Sequence, residues 1–204
     1  MTKQKLYQWQ LKDIIMVAIL SLFFAVAYIG TVNVALMIGT LLTPFGLGQF
    51  AIEIVFGVFL TAATIAPYIM RKPGIAFVTE TMAAVLQVPM GSLSGPLVIV
   101  SGLVQGFGAE AVFAGFRYKR YDMKSMCLAA VGACVCSFIW GFFRSGFLLL
   151  DPKLVLSMFL VRTASSLLIA GVLMKVCGDR LAKSGVLKAY PIGTVVSAPT
   201  LTEE

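Results

Sequence analysis

The sequence predicts an all-α integral membrane protein of six transmembrane helices with both termini in the cytoplasm. Three observations carry that reading. Of the 204 residues, 59% are apolar and only 12% charged, against about 25% charged in an ordinary soluble domain, and mean hydropathy is +0.95. The apolar residues form six runs able to cross roughly 30 Å of hydrocarbon, near 13–37, 47–70, 74–90, 96–116, 125–149 and 153–177. Basic residues collect on alternate connections, which sets an orientation by the positive-inside rule.

The first run follows Lys3, Lys5 and Lys12 and contains a cleavage-like Ala25-Val26-Ala27, but it continues past that point, as expected of an uncleaved first helix. Thr43-Pro44-Phe45-Gly46 then turns the chain. The second run stops at Arg71-Lys72-Pro73-Gly74 and the third at Gly91 to Pro96; Pro73 and Pro96 suit the first turn of the helices that follow. Arg117 to Lys124 closes the fourth run, and Asp151-Pro152-Lys153 divides the fifth from the sixth. Threading these turns puts 13 of the 16 basic residues on one side, leaves Arg144 and Lys153 opposite, and buries Arg162 in the sixth run. The net charge of +7 is therefore an orientation signal toward a lipid bilayer, and no nucleic-acid partner is expected. Residues 1–183 are read as the membrane domain and 184–204 as a polar tail that frays and carries no chemistry.

Histidine is absent. That excludes serine-type triads and histidine-ligated metal sites. The four cysteines lie in or beside apolar runs without CxxC spacing and read as packing residues. No GxxxxGK[ST] loop occurs, so the chain cannot itself hydrolyse ATP in the P-loop manner. Neither an internal repeat nor a paired set of broken helices is evident. The expectation is a protein that is not an enzyme and needs no cofactor.

Ionisable groups in hydrocarbon are costly, which makes Glu53, Glu80, Glu110 and Arg162 either site residues or internal pairs. Arg162 is too deep to snorkel and must meet an acid or free carbonyls. Three acids against one base leave up to two carboxylates unpaired, which favours a cationic or amine-bearing ligand. On the fourth run Gln105 and Glu110 lie about 140° apart around the helix. They flank Gly102, Gly106 and Ala109, a strip that is either a ligand groove or a seat for a neighbouring helix. The third run offers Glu80, Ala83, Ala84 and Gln87 at helical spacing; the second offers Gln49, Glu53, Gly57, Thr61 and Thr64. Ser137, Trp140 and Arg144 add an aromatic surface near the outer end of the fifth run, with Tyr28 and Asn33 toward the outer end of the first. Trp140 is a stacking platform or an interface anchor. Polar stripes around a common interior suit a small amphipathic ligand better than an ion pore, which would want rings of like groups.

Trp9-Gln-Leu-Lys12-Asp13-Ile, Lys72-Pro73-Gly74 followed by Glu80, Gly91 to Gly95-Pro96, and Ser101-Gly-Leu-Val-Gln105-Gly-Phe-Gly-Ala-Glu110 running to Phe116-Arg117-Tyr118 together resemble the YkoE family over nearly the whole chain. These proteins are substrate-capture (S) components of energy-coupling factor (ECF) transporters. The resemblance implies six helices, capture of thiamine or its hydroxymethylpyrimidine precursor, and association with a transmembrane coupling (T) subunit and ABC ATPase subunits. Other S components dock through small-xxx-small spacing on the first helix. The nearest match here is Ser21-xxx-Ala25, followed by Ile29 rather than a small residue.

Residue chemistry and resemblance converge on a ligand that combines a cation with an aminopyrimidine. Glu80 and Glu110 are expected at the cation or exocyclic amine and Gln105 at the pyrimidine edge. Glu80 and Glu110 are deep from the cytoplasmic side, so one of them is a candidate for buried floor while Glu53, Gln87 and Trp140 meet the ligand. Two readings compete with capture: a membrane-integral scaffold whose glutamates pair structurally, and a stand-alone cation-coupled transporter.

Overall fold

A computed structural model describes residues 8–196. Among them every regular element is helical. Five helices are long and apolar enough to span a membrane: α1 (Leu11–Leu42), α2 (Phe50–Met70), α4 (Leu97–Gly115), α5 (Met123–Arg144) and α6 (Pro152–Lys183). The shorter apolar α3 (Ile75–Gln87) and the terminal α7 (Pro191–Val196) complete the set. α1 packs on α3, α3 on α4, α4 on α5, α5 on α6, and α6 on α2, which returns to α1.

The expected third run, 74–90, is cut to thirteen helical residues, about 20 Å at helical rise. The chain then turns through Gly91 and Gly95, both at positive φ. Irregular backbone at membrane depth is tolerated where it lines a cavity, and Ser92 and Ser94 of this turn do so. The first and last spans are longer than their apolar runs, because α1 starts at Leu11 and α6 continues to Lys183.

α2 is not uniform. Phe50–Val55 is α-helical, Phe56–Leu60 tightens to a 3-10 helix, and Thr61–Met70 resumes as an α-helix whose ten residues are all buried. Opposite the break, α6 widens to a π-helix over Leu167–Leu173. The Ser165 hydroxyl bridges the two: it accepts from the Gly57 N–H at 3.0 Å and donates to the Ile54 carbonyl at 2.7 Å. A Cβ on Gly57 would fall 2.7 Å from the Ser165 carbonyl carbon and 2.9 Å from Ile169 Cβ, so the close approach requires glycine.

The Gly102 and Gly106 strip is a helix seat. A Cβ on Gly106 would meet the Phe77 backbone at 3.0 Å, and one on Gly102 would overlap Ala84. Gly108, on another face of α4, lies against Gly132 of α5, with the Gly132 oxygen 2.6 Å from a built Cβ. Small residues thus bring α4 against both neighbours, as interfaces in lipid require.

The basic connections gather at one end. Asp13 accepts from the N–H of Gln10 at 2.7 Å and from Lys72 at 2.5 Å, the Trp9 indole donates to the Pro73 carbonyl at 3.3 Å, and the Arg71 guanidinium lies over the Tyr121 ring. Asp122 caps α5 through the Ser125 N–H; hydrogen bonds from Ser125 hold its carboxyl below the usual range. Residues 184–196 depart from the frayed tail expected of them. Leu187, Tyr190 and Ile192 are buried, and the Tyr190 hydroxyl donates to the Lys12 carbonyl at 2.8 Å. Apolar side chains in this stretch give it a face to bury, whatever its overall polarity. Residues 197–204 lie outside the described residues.

Ser21 and Ala25 are also not an outer face. Both are fully buried, and the Ser21 hydroxyl donates to the Thr79 carbonyl of α3 at 3.1 Å. The small-residue spacing of α1 serves its packing on α3.

Candidate functional site

All six helices from α1 to α6 line one cavity of about 550 Å³, within the size range of small-molecule sites. Gln49, Ser92, Ser94, Ser145 and Leu150 belong to the turns at the end away from the basic connections, so the cavity reaches that end.

Its innermost polar group arises from the break in α2. Where the α-helix resumes after the 3-10 turn, the Thr61 N–H bonds the Val58 carbonyl, and the two N–H groups that follow meet side chains of other helices. The Ala63 N–H donates to Glu80 Oε2 at 2.9 Å, the Ala62 N–H donates to the Tyr28 hydroxyl at 3.0 Å, and that hydroxyl donates to the same Oε2 at 3.0 Å. The carboxylate also lies at the positive end of a helix dipole. Glu80 is 1% exposed and Tyr28 equally enclosed. Among the described residues no protein donor meets Glu80 Oε1, which leaves one oxygen of a cavity-lining carboxylate for a ligand.

Glu53 is spoken for. Arg162 grips it with two donors, Nε on Oε2 and Nη2 on Oε1, the latter at 2.7 Å. The guanidinium lies 4.0 Å from the centre of the Phe56 ring and 5.0 Å from that of Phe138. Of the two partners expected for Arg162, an acid or free carbonyls, the structure shows the acid. Within the cavity the pair is internally compensated, so the surplus of negative charge is smaller than three glutamates suggest.

Two amides are loosely held. The Gln87 amide donates to its own-helix Ala83 carbonyl and the Gln105 amide to the Ser137 hydroxyl, both at 3.4 Å, long for hydrogen bonds. Both side chains line the cavity. Trp140 faces it as well, its indole N–H donating to the Ser101 hydroxyl at 3.1 Å. Arg144 completes the mouth through hydrogen bonds to Ser101 at 3.1 Å and Ser94 at 2.6 Å.

Of the residues singled out in the sequence, Tyr28, Glu53, Glu80, Gln87, Gln105 and Trp140 therefore come together. Glu110 and Asn33 do not. Glu110 sits at the basic end and accepts from the N–H groups of Gly74 at 2.6 Å, Ala76 at 3.0 Å and Phe77 at 3.3 Å, and from the Tyr118 hydroxyl at 2.8 Å. It holds the start of α3. The exposed Asn33 amide donates to Ile29 of its own helix. Arg144 and Ser137, grouped with Trp140 in the sequence, line the cavity too, whereas sequence reasoning did not single out Ser94 or Ser101 as cavity residues, since hydroxyls in a turn or an apolar run carry no distinguishing signal.

Residues 12–136 match the family described as "ABC-type cobalt transport system, permease component". A protein of Bacillus subtilis (strain 168), "Putative HMP/thiamine permease protein YkoE", is 39% identical over 191 residues, covering 91% of this chain and 90% of that one. The chain belongs to the YkoE family. A solved S component of an ECF transporter superposes with a TM-score of 0.86 at 39% identity, covering 93% of each chain. The chain thus has the S-component fold and is a multi-pass membrane protein of the cell membrane. In this member of the YkoE family the residues that carry the resemblance divide by location. Glu80, Ser101 and Gln105 reach the cavity, while Asp13, Lys72, Gly106, Gly108 and Glu110 hold helices together.

Proposed function

We propose that this YkoE-family chain captures thiamine or hydroxymethylpyrimidine in the cavity beneath Trp140, with the basic end in the cytoplasm and the Arg144 end facing outward. The observation that carries this reading is the joint placement of a carboxylate with a free oxygen, two loosely held amides and an indole in one cavity. An aminopyrimidine needs an acceptor for its exocyclic amine and donors for its ring nitrogens; Glu80 Oε1 and the amides of Gln87 and Gln105 supply both. Trp140 stacks on the heterocycle, and the thiazolium of thiamine gains from the indole face and the Glu80 carboxylate. The name of the Bacillus subtilis relative supports the same ligand class.

The chain binds without altering its ligand. Uptake requires a coupling subunit and ABC ATPases to drive release on the cytoplasmic side, a division of labour inferred from the family. Mass spectrometry of the purified protein, before and after incubation with thiamine and hydroxymethylpyrimidine, tests the proposal. A stoichiometric pyrimidine compound is expected; a protein that retains neither ligand is a scaffold.

A further inference from the structure

The mouth of the cavity holds more hydrogen-bond donors than acceptors. The guanidinium of Arg144 and the indole N–H of Trp140 both point at the Ser101 hydroxyl oxygen, and a second guanidinium nitrogen takes Ser94. No carboxylate pairs with Arg144 among the described residues. As the last residue of α5 it could have served its own helix C-terminus, yet its hydrogen bonds go across to Ser101 of α4 and to Ser94 of the 91–96 turn. Ser92 and Ser145 line the same rim. Neutral hydroxyls are weak acceptors for a guanidinium, and an anionic oxygen in their place makes charge-assisted bonds roughly twice as strong. Deeper in the cavity the polarity reverses at Glu80. The cavity is therefore bipolar, with an acceptor for an amine at its floor and donors matched only by neutral hydroxyls at its mouth.

Resting on the capture reading above, we propose that Arg144, with Ser94, Ser101 and the Trp140 N–H, forms a subsite for a phosphate oxyanion, so that phosphate monoesters of the captured vitamin are ligands as well as the free alcohol. The heterocycle occupies the floor and its phosphorylated arm lies at Arg144. A lipid headgroup offers the same oxyanion, so the test must separate the two sources.

Calorimetry would compare thiamine with thiamine monophosphate on the wild type, Arg144→Gln and Arg144→Lys, in lipid-free detergent and in nanodiscs with and without phosphatidylglycerol. The readout is the ratio of the two dissociation constants, which cancels general damage to the site. The wild type should bind both compounds within about tenfold of each other, and Arg144→Gln should shift the ratio against the monophosphate by at least ~tenfold, with Arg144→Lys between them. An unchanged ratio in Arg144→Gln overturns the subsite while leaving thiamine capture intact. A wild-type ratio that falls to the Arg144→Gln value when phosphatidylglycerol is present assigns the guanidinium to lipid and overturns it too. If the wild type binds neither compound in any medium, the capture reading itself fails and the subsite with it.

Discussion

Glu53 and Arg162 show how far a single residue's depth can be read from sequence. Nine residues into its apolar run, Arg162 had to find an acid or free carbonyls, but that the acid is Glu53 depends on how Phe50–Val55 of α2 packs on α6, which spacing within either run does not reveal. Removing one member of a buried pair costs about 3–5 kcal/mol because the other is left charged and unpaired. Arg162→Leu should therefore lower the melting temperature sharply in detergent, and Glu53→Leu combined with Arg162→Met should recover most of the loss; thermal unfolding of the three proteins checks this. Glu80 differs because only one of its oxygens is committed to the protein. Glu80→Gln keeps an acceptor for Tyr28 and Ala63 but removes the charge, and a charged hydrogen bond is worth about 1.5–3 kcal/mol. Thiamine affinity should fall about ten- to more than a hundredfold and hydroxymethylpyrimidine affinity less, whereas Gln105→Leu should weaken both; calorimetric titration of both ligands separates the cases. Glu110 was legible as a special residue but not as a helix-start acceptor, because the N–H groups it satisfies belong to Gly74, Ala76 and Phe77, more than thirty positions away.

The helices themselves were largely legible because apolar runs bounded by Pro, Gly and charge leave little choice in lipid. The interruption of α2 was not. Phe56-Gly57-Val58-Phe59-Leu60 is apolar throughout, and a 3-10 segment leaves no mark on such a run. What specifies it lies on α6, where Ser165 bonds both Gly57 and Ile54. Gly57→Ala places a methyl group against the Ser165 carbonyl, and overpacking of this kind costs about 1–3 kcal/mol. Because the same break presents the Ala62 and Ala63 N–H groups to Tyr28 and Glu80, the variant should lose both melting temperature and thiamine affinity. Loss of stability with affinity intact would separate the break from the site. The strip on α4 shows the opposite ambiguity: Gly102 and Gly106 were visible as small residues, but whether a ligand or a helix fills the space depends on α3, which spacing within α4 does not reveal.

For the whole molecule, the charge pattern divides the bundle into a basic end, where α1, the 71–74 and 116–122 turns and residues 184–196 interlock, and an opposite end with the mouth of the cavity. In a variant without native cysteines, a cysteine at Thr43 should react with an impermeant maleimide on intact cells and one at Arg120 only after permeabilisation; the reverse pattern would invert the orientation. The two tryptophans mark the two ends, Trp9 bonded to Pro73 among the basic connections and Trp140 on the cavity wall. A fluorescence titration of the purified protein with thiamine therefore tests the central claim most directly, that the Trp140 cavity is the capture site. Saturable quenching should persist in Trp9→Phe and vanish in Trp140→Phe; quenching that survives in Trp140→Phe and is lost in Trp9→Phe would put the ligand at the other end and contradict the account.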